Sequence, residues 1–350
     1  MKELLKEFCS AFGPSGCVDS VRDIIVKNLS ELNPTIDTLG AVTIRIAKEG
    51  APKLMISAHM DEVGLMVTGI TSDGCVKFGC VGGIDPLVLS SKRVVSENGV
   101  SGAILSKPIH LQSADERKAR TEIKDMYIFI GARNKEEAKK LVRVGDYFAF
   151  DSEYVEFGDG FIKAKALDDR LGCAVMCTLA KNLIKVKDKI PYDLYFSFTD
   201  REELGFSGAF AAAERIKPDY AIVIESTAVA DISGVAPKSR VAALGKGGAI
   251  SFADRATIYD RDYMRFVTDI LERENIKYQI KQYVSGGNDA SHIQRSACGA
   301  KVLAISAPSR YIHSPSDVVS YSDIVSIYDA VYAVITNKDL PLGQTEKEKI

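Results

Sequence analysis

Four continuous apolar runs constrain this chain more than any other feature: "KLMISA" at 53–58, "DLYFSF" at 193–198, "YAIVI" at 220–224 and "KVLAIS" at 301–306. Each has strand length and little polar alternation, so each reads as a strand covered on both faces. Segments with helical periodicity surround them, at 18–32, 170–184, 206–215, 262–275 and 322–336. Buried strands alternating with helices imply an α/β fold, a mixed central sheet flanked by helices.

The middle of the chain differs. From about 65 to 160 it holds "LMVTGI", "CVKFGCVG", "KRVVSENGVSGAIL", "MYIFIGA" and "DYFAF", with turn signals at Asp73-Gly74, Asn98-Gly99 and Asp159-Gly160 and one helical run, "NKEEAKKLV" at 134–142. Its "EEAKK" charges read as a solvated face. A chain of 350 residues exceeds one ordinary core. The expected division is an α/β domain of 1–64 and 160–340 with an inserted small β-barrel-like domain at 65–159. Residues 106–124 read as a long mobile loop and 341–350 as a polar tail.

Composition narrows the function. The formal net charge of −2 gives no basic excess for nucleic acid or a membrane surface. No apolar stretch approaches a membrane span. The N-terminal "MKELLKEFCSAFG" reads as an amphipathic helix with Leu4, Leu5 and Phe8 on one face, and lacks the apolar core and cleavage site of a signal peptide. The expected location is cytoplasmic. Seven scattered cysteines fit reduced thiols, and the pairs Cys75/Cys80 and Cys173/Cys177 read as small buried hydrophobes rather than metal ligands.

The chemistry gathers where the apolar runs end. His59 and Asp61 follow the first, Glu202 and Glu203 the second, Glu225 the third, and His313 lies a short loop beyond the fourth. In an open α/β sheet ligands bind outside the carboxyl ends of the strands. Asp168-Asp169 opens a helical run and, read alone, caps it. Beside the strand ends, Asp168 becomes a candidate bridging carboxylate. Two His and several carboxylates suit zinc, cobalt or manganese, and the logic is that of a two-metal hydrolase. A free carboxylate can move protons between water and leaving amine, and another can orient a ligand histidine.

At these residues the sequence resembles the glutamyl or tetrahedral (dodecameric) aminopeptidases, dinuclear metal-dependent peptidases of zinc-exopeptidase-like fold, some of whose relatives are labelled endoglucanase or cellulase. The resemblance rests on the order and spacing of "GPSG" 13–16, "AHMDEVG" 58–64, "GGIDPLVLSSKRV" 82–94, "ALDDRLG" 166–172, "EELGFSGA" 202–209, "GGNDA" 286–290 and "YIHSPSD" 311–317. It implies His59, Asp168 and Glu225 at one metal, and Asp168, Glu203 and His313 at the other. It also implies Glu202 as general base and then acid, Asp61 as the group orienting His59, and a cis peptide from Asp168 to Asp169. It implies short peptide substrates, two divalent ions per subunit (zinc, cobalt or manganese), and a homo-oligomer whose β insertion dimerises and builds to a dodecamer. The family usually has Asp where this chain has Glu225. In related zinc exopeptidases Glu there goes with carboxypeptidases and deacylases, which is the alternative function. A glycoside hydrolase would need two carboxylates flanking a sugar cleft and would leave both histidines unexplained.

The other polar residues have plainer readings. His110 falls in the polar loop. His292 follows "GGNDAS", near the substrate side of the resembling fold. Asp289 reads as a helix cap, Asp317 as a turn residue, and Asp200-Arg201 as a solvated turn.

Overall fold

The structure is a computed structural model that describes residues 1–119, 121–282, 284 and 286–341. Of the expected tail, all but Pro341 lies outside the described residues. The four apolar runs become strands Lys53–His59, Asp193–Thr199, Tyr220–Ala228 and Lys301–Arg310. They lie side by side and parallel in the order 193–199, 53–59, 220–228, 301–310. Strand Val42–Ile46 continues the sheet antiparallel beyond Asp193–Thr199, and Asp317–Ser320, Phe161–Ala164 and Val155–Phe157 extend the other side. The sheet is mixed: the four apolar strands at its centre are parallel and the flanking ones pair antiparallel.

Side-chain alternation explains why these strands are apolar throughout. Leu54, Ile56 and Ala58 point into one core, with helix Leu167–Leu183 and the N-terminal helix Lys2–Ser10. Met55, Ala221 and Val223 point into a second, against helices Ser207–Ile216 and Ala290–Gln294. A strand buried on both faces has no polar side to show. The first helix places Leu5 and Phe8 fully inside, leaving Leu4 half-buried. Helix Leu167–Leu183 departs from helical backbone at Asp168 and Asp169, so its regular part starts at Arg170, and the peptide between the two aspartates is cis.

The middle segment closes into a six-stranded barrel, in the order Gly64–Ile70, Val76–Val81, Tyr127–Phe129, Ser101–Leu105, Arg93–Ser96 and Tyr147–Phe150. Leu65, Val67, Phe78, Ile128 and Phe148 fill it. Closure removes the open edges that six short strands would otherwise present. Its first strand starts three residues after Asp61, so the barrel stands beside the strand-end cluster. Strand Val155–Phe157 is already paired in the large sheet.

The polar loop at 106–124 has more structure than its composition suggests. It contains helix Ala114–Lys118, with short 3-10 turns at Ile109–Leu111 and Ile123–Asp125. Ser113 and Glu116 form a reciprocal capping box at the helix start. The sequence "SADE" carries that signal, but a run of exposed polar residues hides it.

Candidate metal centre

Register brings the expected residues together. His59 pairs with Thr199 across parallel strands, so the turn bearing Glu202 and Glu203 leaves the sheet beside it. Val223 pairs with Ser57, which sets Glu225 level with His59 on the adjoining strand. His313 reaches the same edge through a loop in which Tyr311 and His313 take left-handed backbone, φ 62° and 60°. Arg201 and Phe206 do the same around the two glutamates, with φ 66° and 64°. Left-handed backbone costs a non-glycine residue roughly 1–3 kcal/mol, so such positions persist only where their surroundings hold them.

Asp168 stands between the two histidines. Its Oδ1 is 3.4 Å from His59 Nε2, and its Oδ2 is 3.2 Å from His313 Nε2. Glu225 Oε2 lies 3.7 Å from His59 Nε2, and Glu203 Oε1 lies 3.2 Å from His313 Nε2. Two half-sites therefore share one carboxylate. Asp169, also within reach of His59 and Glu225, is committed elsewhere. Its oxygens accept the backbone N–H groups of His59, at 3.3 Å, and Gly172, at 3.1 Å.

The donor set fits a cation. His59 Nε2, Asp168 Oδ1, Glu203 Oε1 and Glu225 Oε1 are buried with no hydrogen-bond partner, an arrangement that costs free energy unless something satisfies it. Burial pushes the carboxyls of Glu202, Glu203 and Glu225 up, and neighbouring carboxylates push Glu202 further. Burial alone would lower the His313 imidazole, but the Asp168 and Glu203 carboxylates beside it outweigh that and raise it to about 11. The site has more buried negative charge than its histidines balance. Oxygen-rich donors with two imidazoles suit zinc and neighbouring divalent metals.

The supporting contacts refine the expected roles. His59 Nδ1 is 3.0 Å from the backbone carbonyl oxygen of Asp61, closer than the Asp61 carboxylate at 3.4 Å. That carboxylate instead accepts the N–H groups of Glu202, at 3.2 Å, and Glu203, at 3.3 Å. Thus Asp61 touches His59 and also holds the glutamate turn. His313 Nδ1 donates to the Gly83 carbonyl at 2.7 Å, a partner the sequence reading missed. Gly82, at φ 83°, must be glycine: a Cβ there would lie 2.9 Å from Val63 Cγ1 and 3.2 Å from Glu203. Only "GGIDP" at 82–86 hinted that the barrel reaches into the site.

Three plainer readings are overturned. Asp289 sits at a helix start but makes no cap; it is fully buried and accepts from the Thr199 hydroxyl at 2.7 Å. Burial raises its carboxyl to about 7. Asp317 is no turn residue: it begins a strand, is buried, and accepts from Ser309. Asp200 is not solvated; it is buried and accepts the N–H groups of Gly16, at 3.0 Å, and Arg201, at 2.8 Å. Arg201 beside it stays partly exposed, as expected. His292 packs against Phe206 with tilted rings, centroids 5.1 Å apart, and does not reach the cluster through any described hydrogen bond. His110 is exposed in the 109–111 turn.

The chain is similar to known proteins over nearly its whole length. Residues 40–329 match the family model of the M42 glutamyl aminopeptidases. A putative aminopeptidase of Acetivibrio thermocellus is 39% identical over 93% of this chain and 95% of its own. Among solved structures, the TET aminopeptidase of the marine sediment archaeon Thaumarchaeota archaeon SCGC AB-539-E09 superposes with a TM-score of 0.93, is 33% identical, and is matched over 97% of this chain and 96% of its own. The TET1 peptidase of Pyrococcus horikoshii, described as assembling into a tetrahedron or a large octahedral shell, gives 0.85 at 33% identity over 95% of this chain and 98% of its own. The carboxypeptidase, deacylase and glycosidase alternatives are not favoured by these matches. This chain belongs to the M42 glutamyl aminopeptidase family and is an aminopeptidase, a hydrolase.

Proposed function

We propose that the enzyme removes N-terminal residues from short peptides with two divalent ions per chain, zinc, cobalt or manganese. His59, Asp168 and Glu225 hold one ion, and Asp168, Glu203 and His313 the other. The observation that carries this reading is the placement of Asp168, one carboxylate oxygen toward each histidine, among unpartnered donors. When bound, such a pair polarises the scissile carbonyl and makes water acidic enough to attack it.

The chain's own residues do the rest. Glu202 is half-buried and is the glutamate of the pair without a histidine partner. Its carboxylate accepts the proton of the attacking water and returns it to the leaving amine nitrogen. The surrounding burial raises its proton affinity above that of an exposed glutamate. Asp61 fixes the Glu202–Glu203 turn through its amides and lies against His59 Nδ1, which keeps Nε2 directed at the metal. Glu225 replaces the family's usual Asp, and its longer side chain reaches the same edge from the strand backbone.

The inserted barrel, whose strands run from Gly64 to Phe150, supports dimerisation within this proposal, and dimers build toward a shell of the kind described for the Pyrococcus horikoshii enzyme. A cytoplasmic location fits such a shell; no helix among the described residues is long and apolar enough to cross a membrane.

One assay tests the function. Purified protein is given aminoacyl p-nitroanilides, N-blocked peptides and a soluble glucan, with and without chelator. The expected result is turnover of free N-termini only, abolished by chelator and restored by zinc or cobalt. Release of C-terminal residues from blocked peptides, or glucan cleavage that survives chelation, would overturn the reading.

A further inference from the structure

Residues 13–16, "GPSG", lie far in sequence from both catalytic turns yet touch each of them. Ser15 is fully buried and its hydroxyl donates to Asp61 Oδ2. The Ser15 N–H donates to the Glu62 carbonyl at 3.2 Å, and the Glu62 N–H donates to the Gly13 carbonyl at 3.0 Å, so Pro14 and Glu62 form a parallel bridge. The Gly16 N–H donates to Asp200 Oδ1 at 3.0 Å. A four-residue segment thereby spans the turn after strand Lys53–His59 and the turn after strand Asp193–Thr199.

The segment is itself anchored from below. Glu62 Oε1 receives Lys165 Nζ at 2.6 Å and the Arg170 guanidinium at 3.3 Å, all three buried. The two cations also donate to carbonyls of the N-terminal segment: Lys165 to Ala11 at 2.9 Å, and Arg170 to Phe8 at 2.7 Å and Gly13 at 3.2 Å. Breaking a buried, hydrogen-bonded charge group of this kind is strongly unfavourable, so the anchor is stiff. Arg170 directly follows Asp169, so the anchor ties the segment to the bridging-aspartate turn as well.

We infer that Ser15 is a positioning residue for the reaction, and that residues 13–16 form a clasp holding the His59–Asp61 and Asp200–Glu203 turns in register. The inference rests on the dinuclear reading above. Asp61 is the shared part. One oxygen accepts from Glu202, the other from Glu203 and from Ser15, and Oδ1 lies against His59 Nδ1. Ser15 is the one side-chain hydroxyl described on this carboxylate. Removing it leaves the Asp61 carboxylate held only from the side of the glutamate turn and His59, with nothing opposing its rotation toward the N-terminal segment. The Glu202 and Glu203 amides and the His59 ring then lose a common reference. Partners of this kind typically alter metal affinity or activity by about 10–100-fold when lost.

The test compares Ser15→Ala and Ser15→Thr with the parent enzyme. The measurements are kcat and KM on an aminoacyl p-nitroanilide, the thermal midpoint, and zinc retained against a competing chelator. For S15A the expected result is a kcat lower by about 10–100-fold, KM changed little, weaker zinc retention and a near-parental midpoint. S15T restores the hydroxyl and recovers most of kcat. A parental kcat and parental zinc retention in folded S15A would overturn the inference. So would equal losses in both variants accompanied by equal falls in thermal midpoint, the pattern of a packing role. The parent separates this inference from the one beneath it: if the parent binds no zinc, the dinuclear reading fails; if it binds two ions and S15A matches it, the clasp fails.

Discussion

Glu202→Gln lowers kcat by roughly 10²–10⁴-fold, the range set by loss of a positioned general base, while bound metal stays at the parental level. The change keeps the length of the side chain and the backbone N–H that Asp61 holds at 3.2 Å. It removes only the ability to take a proton. Glu203, one residue on, has its Oε1 3.2 Å from His313 and is committed to that half-site, so it does not substitute. KM stays near the parental value because Glu202 acts on the water rather than on the bound peptide. Steady-state kinetics with metal analysis of the same preparation checks this. A near-parental kcat removes Glu202 from the role.

Asp168→Asn has the second large effect, and of a different kind. It weakens retention of both ions together and lowers kcat/KM by about 10³-fold or more, the equivalent of several kcal/mol of lost charge stabilisation. The reason is the split of the carboxylate between His59 and His313, at 3.4 and 3.2 Å. An amide has one oxygen and no charge, so it serves at most one half-site well. His313→Ala, by contrast, weakens the half-site it shares with Glu203 and leaves the His59 half largely loaded. Titration of the apoprotein with zinc distinguishes the two. Loss of only one ion in D168N would show that Asp168 does not bridge.

The sequence carried the sheet because burial on both faces leaves an unambiguous trace. Runs such as "YAIVI" have no polar register to confuse, and the helices between them have regular apolar stripes. It pointed to the candidate cluster because most of its members follow strand ends, where a parallel sheet converges its loops; Asp168 stands at a helix start instead. What it did not carry was the second set of contacts. Gly83 offers only a backbone carbonyl to His313, and no side chain announces it. Ser15 looks like a turn serine until the fold brings it to Asp61. Asp200 and Asp289 were misread because charge near a turn or helix start usually means solvent or capping. Here the pairing of distant segments buries both, and no local pattern reports that. The helix at 114–118 was missed for the opposite reason: its capping box is local and legible, but lies in a stretch whose composition argues against order.

The two glutamates after "DLYFSFTDR" show how adjacent like residues part ways. The Asp61 carboxylate holds both of their amides, yet Glu203 lies 3.2 Å from His313 Nε2 while Glu202 pairs with neither histidine in any described ion pair. Arg201 and Phe206, on either side of the pair, both take left-handed backbone.

The most direct measurement is anomalous diffraction from crystals of the zinc-loaded enzyme, recorded on both sides of the zinc edge. The account predicts two peaks about 3.5–4 Å apart, as in two-metal sites generally. One should be ligated by His59, Asp168 and Glu225, the other by Asp168, Glu203 and His313. A single peak, or two peaks of which only one is ligated by Asp168, would contradict it.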